Sequence, residues 1–219
     1  LAWSMDKIGP ICRSVEDCAL VFGAIHGYDG MDPTAVDRPF RWPPQRDLRT
    51  LRVGYVDNGL TEEQRGDLKV LRDLGVTLVR IQLPDEYPDW ALTLILGVES
   101  TAMFDTLVRT NNLEGTGLWP NELREGQFIP AIEYLRAQRI RTLLMQAMQT
   151  VFEKVDCYVG GDDLTITNLT GHPTVVLPGG FGQRDSHRVP FGITSTGQLN
   201  EDETLLALAS AYQPATGQH

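Results

Sequence analysis

The chain has 219 residues, 42% hydrophobic and 22% charged, the balance of a globular protein able to bury a sizeable core rather than of a disordered one. Its 19 lysines and arginines against 29 aspartates and glutamates leave a formal charge of −10, which argues against a surface built to hold phosphate, so direct nucleic-acid binding is not expected. Its apolar runs fall well short of the ~20 residues that a membrane-spanning helix needs, and no basic amphipathic stretch suits anionic lipid, so a membrane is not an expected partner either.

In chain order, the opening Leu1-Ala2-Trp3-Ser4-Met5-Asp6 has no initiator Met and no apolar leader, and reads as the middle of a protein. Ser14 offers an N-cap with an acid at Asp17, and Val15, Cys18, Val21, Phe22 and Ile25 recur at helical spacing until Gly27. The segment that follows, residues 28–50, is dense in Asp, Pro and Arg and predicts a surface connection. Leu51 to Val56 reads as a strand, Thr61 to Leu74 as a helix with Gly75 past its end, and Val76 to Ile81 as a second strand. Such a βαβ unit pairs its strands in parallel. Two long helices are predicted, from Pro88 to about Thr110 and from Pro130 to about Val155, with a loop over Gly115 to Pro120 between them. Strands at Val155–Val159, Pro173–Leu177 and Val189–Thr194 follow, then a closing helix from Glu201 to Tyr212 capped by Asn200. The alternation predicts an α/β fold with a mixed or mostly parallel sheet, as one large domain or one and a half.

Familiar catalytic signatures are absent: no G-x-S-x-G, H-E-x-x-H, Walker-type loop or dinucleotide fingerprint occurs. His26, His172, His187 and His219 share no ligand spacing, so neither a metal nor another cofactor is expected. Cys12, Cys18 and Cys157 form no C-x-x-C pair and are expected as buried, reduced thiols. His172 is a candidate base and Asp162-Asp163 a candidate carboxylate pair, although a backbone-bonded turn histidine and an acidic turn are the commoner roles.

Two longer stretches are more informative. Trp3-Ser4-Met5-Asp6-Lys7-Ile8-Gly9-Pro10-Ile11-Cys12-Arg13-Ser14-Val15-Glu16-Asp17 resembles the S-L-D-x-x-G-P-x-x-R-[ST]-V-x-D segment of the amidase signature family. Asn168-Leu169-Thr170-Gly171-His172-Pro173, continuing to Pro178, resembles its N-x-[AT]-G-x-P segment, and Pro190-Phe191-Gly192-Ile193 with Leu205 to Ala209 resembles its closing strand and helix. The resemblance runs from Leu1 to about Thr216, so residues 1–219 are expected to be the C-terminal portion of one amidase signature domain.

What the resemblance implies is a three-layer α/β/α fold with a mixed sheet and a Ser-Ser-Lys triad that hydrolyses a small-molecule amide, the oxyanion being held by glycine-rich backbone N–H groups. The family's triad lies upstream of the segment with which this chain opens. None of Ser4, Ser14, Ser100, Ser186, Ser195 and Ser210, and none of Lys7, Lys69 and Lys154, matches it. No catalytic residue is therefore assigned, a missing N-terminal segment is expected, and the chain alone is expected to be inactive. Asp6, Gly9, Arg13, Asn168, Thr170, Gly171 and His172 are the residues expected to support a substrate pocket. Asp6 and Arg13 are expected to hold a turn by charge-assisted hydrogen bonds, and Asn168 to Pro173 to form a loop leading into a strand. Trp90, Phe104, Trp119, Phe128 and Tyr134 are candidates for an acyl-side lining, though aromatics at such positions are more often core. Ser195 and Thr196 replace apolar residues of the family's last strand, which predicts looser packing there. Cytoplasmic location is expected, and a homodimer through an uncovered sheet edge is a candidate assembly. Two alternatives stay open: a noncatalytic α/β binding or assembly module, and part of the glutaminase subunit of a tRNA-dependent amidotransferase.

Overall fold

A computed structural model describes residues 2–32, 34–57, 60–115, 120–161, 164–184 and 186–217. Trp119, Asp162, Asp163 and His219 lie outside the described residues. The chain divides into two compact units. One comprises Leu1–Ile8, Pro84–Thr150 and Asp163–Gly171; the other comprises Gly9–Leu83, Val151–Asp162 and His172–His219.

The second unit carries a mixed sheet of strands β1 (Arg52–Val56), β2 (Thr77–Ile81), β3 (Cys157–Val159), β4 (Thr174–Arg184) and β5 (His187–Gly197), in the order β2-β1-β3-β5-β4. β1 pairs in parallel with β2 and β3, as the βαβ pattern requires, while β5 runs antiparallel to both β3 and β4. Helices α1 (Val15–Ile25), α2 (Glu62–Asp73) and α9 (Asp202–Thr216) complete this unit. α9 packs against β4, β5, α1 and α2, and the joint core contains Leu51, Val53, Leu71, Val159, Leu205 and Leu208.

Local chemistry explains the ends of α1 and α2. Ser14 Oγ accepts the Asp17 N–H and so starts α1. Thr61 and Gln64 form a reciprocal capping box on α2, and Gly75, at φ +91, takes the left-handed turn beyond it. Asn200 does not cap α9. It sits at φ +62 in the turn after β5, and Glu201 takes the cap position, its carboxylate accepting from the Thr204 hydroxyl at 3.2 Å rather than from a backbone N–H of the helix. The strands expected at Pro173–Leu177 and Val189–Thr194 prove to be parts of one long hairpin of two 11-residue strands. A bulge between Pro178 and Gly180 lets pairing continue past a proline that reads in sequence as a stop. The looser packing expected at Ser195 and Thr196 is not found: both are buried in β5, and Thr196 shares a hydrogen bond with its register partner Tyr158.

The first unit is helical. The single helix expected from Pro88 to Thr110 is three: α3 (Asp89–Leu92), α4 (Leu94–Met103) and α5 (Asp105–Arg109). At the first break the Thr93 hydroxyl donates to the Trp90 carbonyl at 2.6 Å, a local bond that competes with the helical ladder. α6 (Pro120–Glu125) packs on α4; the long α7 (Ala131–Phe152) follows; α8 (Thr165–Thr170) packs on α3.

Candidate functional site

The opening residues form a turn wound on Ala2. The Met5 and Asp6 N–H groups donate to the Ala2 carbonyl at 3.0 and 2.8 Å, and the Asp6 carboxylate accepts the Ala2 N–H at 3.0 Å. Ser4, inside this turn, is held from two helices. Its N–H and hydroxyl donate to the Glu99 carboxylate of α4 at 3.0 and 2.6 Å. Arg141 of α7 donates to the Ser4 hydroxyl at 2.6 Å and to the Ser4 carbonyl at 2.5 Å, and its Nε donates to the Leu169 carbonyl of α8. Tyr134 donates to Glu99 at 3.0 Å and accepts from Gln138 at 2.9 Å, and Lys7 Nζ donates to the Thr167 carbonyl at 3.0 Å.

Charge explains why this cluster tolerates burial. Glu99 is wholly buried, which an ionised carboxylate tolerates only with donors around it, and Ser4 and Tyr134 supply three. Burial pulls the Arg141 guanidinium below its ordinary value, and the charge of Glu99 opposes that shift. Burial raises the Tyr134 hydroxyl, and the bond to Glu99 raises it further against the opposing bond from Gln138. The Ser4 hydroxyl is committed, donating to a carboxylate while accepting from a guanidinium. That arrangement suits fixing a backbone turn, not attacking a carbonyl.

Asn168, Thr170 and Gly171 belong to the same unit as Asp6. The stretch expected as a strand-leading loop is instead helical through Thr170. The Thr167 and Thr170 hydroxyls donate to carbonyls one turn back at 3.0 and 2.7 Å, and Gly171, at φ +83, closes the helix in the left-handed region. Asn168 is half-buried within it.

Gly9, Arg13 and His172 lie in the other unit. Gly9 is exposed, and a Cβ added there meets open space. The Arg13 side chain is exposed, while its carbonyl accepts from Gln213 of α9 at 3.3 Å. The same glutamine accepts the Val15 N–H at 2.9 Å and so straps down the start of α1. His172 is buried, its ring stacked on Phe152 with centroids 4.7 Å apart. Of the aromatic candidates among the described residues, Trp90 and Phe128 are exposed, Phe104 is half-buried, and Tyr134 joins the polar cluster.

This unit also holds a cavity of about 320 Å³ beside the C-terminal ends of β1 and β3, lined by Tyr55, Gln64, Asp67, Gly160, Phe191 and Thr194 among others. Asp67, on its wall, accepts the Tyr212 hydroxyl of α9 at 2.6 Å. Among the described residues no group of three or more His, Cys, Asp or Glu is placed to hold a metal ion, and no helix is long and apolar enough to cross a membrane.

Glu99 and Arg141 escape sequence reasoning to different degrees. An acid inside Leu94-Ile95-Leu96-Gly97-Val98-Glu99 could have been flagged as a buried charge in need of partners. Nothing separates Arg141 from Arg136 and Arg139 on the same helix, because the partners that select it lie more than a hundred residues upstream or on α8.

A family profile described as Amidase matches residues 1–162. An "Amidase" of Pseudomonas putida is 27% identical over all of this chain and 55% of its own length. A glutamyl-tRNA(Gln) amidotransferase subunit of Roseiflexus sp. (strain RS-1) is 30% identical over all of this chain and 56% of its own. In fold, the chain is similar to a crystal structure of a bacterial aryl acylamidase of the amidase signature enzymes, with a TM-score of 0.77 at 20% identity, covering 95% of this chain and 52% of that one. The chain thus spans about half the length of the relatives it matches.

Proposed function

The chain belongs to the amidase signature family, and from that membership we propose that it is part of an enzyme that hydrolyses a carbon–nitrogen amide bond. The observation that carries this reading is the family match over residues 1–162, which takes in the Trp3–Asp17 motif.

In this reading residues 1–219 are the C-terminal portion of one amidase signature domain, residues 28–50 are a surface connection within it, and the Ser-Ser-Lys triad belongs to an upstream segment. The Ser4 turn, pinned by Glu99 and Arg141, then serves as a rigid support for the loop that carries the nucleophile. Asp6 maintains that turn, Gly9 and Arg13 carry the chain on to α1, and Asn168, Thr170, Gly171 and His172 are pocket-supporting residues. The substrate is a small-molecule amide, the compartment is the cytoplasm, and no cofactor takes part.

The first test is the coding sequence immediately 5′ of the Leu1 codon. An in-frame segment with a lysine and a Gly/Ser-rich loop is expected, and a start codon adjoining Leu1 overturns the reading. The second test is chemical: the 219-residue chain should neither turn over simple amides nor take a fluorophosphonate label on serine. Stoichiometric labelling of any of its serines would place the nucleophile inside the chain and refute the upstream triad.

The 30% identity to a glutamyl-tRNA(Gln) amidotransferase component favours a second reading, in which the parent protein is the glutaminase subunit of a tRNA-dependent amidotransferase. Glutamine hydrolysis by the full-length protein that appears only with a partner protein would select it over a free-standing amidase.

A further inference from the structure

We propose that Cys12 and Cys18 form an oxidisable thiol pair, a modification site at which a hydroperoxide drives an intramolecular disulfide. Ser14 caps α1, and the Cys18 N–H closes the first turn of that helix on the Ser14 carbonyl at 3.1 Å. The thiols are in contact: Cys18 and Cys12 share a side-chain hydrogen bond, and the Cys18 thiol also reaches the Pro10 carbonyl at 3.9 Å. Cys12 is exposed and Cys18 half-buried, so one sulfur meets oxidant from solvent while the other waits behind it. This is the arrangement of an attacking and a resolving cysteine.

The third thiol serves as an internal contrast. Cys157 lies wholly buried in β3, where burial pushes its thiol up to about 12, and it has little thiolate to offer at neutral pH. Burial also raises Cys18, with the bond to Cys12 adding to the shift. The exposed Cys12 is therefore the group that meets peroxide first.

The chemistry balances with a hydroperoxide as oxidant. The Cys12 thiolate attacks the O–O bond, forming a sulfenic acid and releasing water when the oxidant is hydrogen peroxide. The Cys18 sulfur then attacks the sulfenic sulfur, forming the S–S bond and expelling a second water. Two thiols have lost two electrons and two protons, and one peroxide has become two waters. The ring so closed ties the Gly9–Arg13 segment covalently to α1.

The test uses the whole chain. It is exposed to hydrogen peroxide, denatured, alkylated and digested with trypsin without reduction. Trypsin cuts after Lys7, Arg13 and Arg41, so Ile8–Arg13 and Ser14–Arg41 should stay joined until a reductant is added. Alkylatable thiols should fall from three to one, with Cys157 the one that remains. The proposal fails if Cys12 runs on to sulfinic or sulfonic acid while Cys18 stays alkylatable, if Cys12 pairs with Cys12 of a second copy, or if all three thiols survive. In Cys18→Ser the sulfenic acid has no resolving partner. Dimedone capture at Cys12 should rise about tenfold over the unmutated chain, and unchanged capture counts against the pair. The digest of the unmutated chain stands without that variant.

Discussion

Glu99 is a carboxylate that water does not reach, and its stability rests on the donors that Ser4 and Tyr134 aim at it and on the opposite charge of Arg141 nearby. Removing the carboxylate leaves Arg141 uncompensated and two Ser4 donors unmet. Glu99→Ala should therefore cost about 3 kcal/mol, whereas Tyr134→Phe, which deletes one donor, should cost about 1 kcal/mol. Urea unfolding of both variants checks the ratio; equal losses would mean that packing, rather than the carboxylate, is what the site requires. Asp156 gives a second residue-scale prediction, this one in pH. Burial alone would raise its carboxyl, but the Arg52 N–H at 2.8 Å and the Arg52 guanidinium at 3.2 Å outweigh that and hold it below the ordinary carboxylate range. A carboxyl lowered on folding stabilises the protein above its unfolded-state value, and the contribution is lost as pH falls through the folded-state value. Stability should thus fall less steeply with acid in Asp156→Asn than in the unmutated protein. Parallel acid profiles would show that the ion pair contributes nothing.

At the scale of elements, helix α2 and the contact between α4 and the turn after α6 show what a local pattern can and cannot disclose. Thr61 and Gln64 sit at the spacing of a capping box, and the reciprocal bonds at 3.3 and 2.9 Å are the ones that this spacing implies. Gly126 carries no such signal, yet a Cβ there would lie 2.0 Å from Thr101 Oγ1 and 2.9 Å from the Gly97 carbonyl, so two backbones meet where only glycine fits. Gly126→Ala should destabilise the helical unit by about 2–3 kcal/mol, seen as a lowered thermal midpoint, and a neutral substitution would mean that the approach is not so close. The same contrast governs how much was legible. The βαβ unit, the ends of α1 and α2 and the long α7 follow from periodicity and caps, which act over a few residues. The break at Thr93, the extension of β4 and β5 beyond Pro178 and the helical form of Thr165–Thr170 depend on bonds or bulges that override those signals. The polar cluster is the extreme case: Ser4, Glu99, Arg141 and Leu169 are joined by bonds spanning 28 to 137 residues, and no pattern within the chain marks the pairing.

For the molecule as a whole the deciding feature is the edge of the sheet. β4 ends the strand order with β5 as its partner among the described residues, and along its 11 residues it exposes Val176 (58%) and Phe181 (54%). A long edge with apolar side chains is a template for another strand. Three features work against pairing. Pro178 has no N–H to give, the bulge beside it twists the edge, and Arg188 covers the Phe181 ring at 4.1 Å. The charge of −10 adds like-sign repulsion between copies, which salt screens within about 8 Å at physiological ionic strength. Attraction at the edge and repulsion over the surface therefore oppose each other, and salt tips the balance. Sedimentation velocity should find the 219-residue chain mostly monomeric at low salt and increasingly associated as salt and concentration rise. Substituting Val176 with Lys, a charge on the edge itself, should abolish that rise. A chain that stays monomeric at every salt and concentration, with a sharp unfolding transition independent of concentration, would instead mark the edge as sufficiently protected and this length of chain as a self-sufficient folding unit.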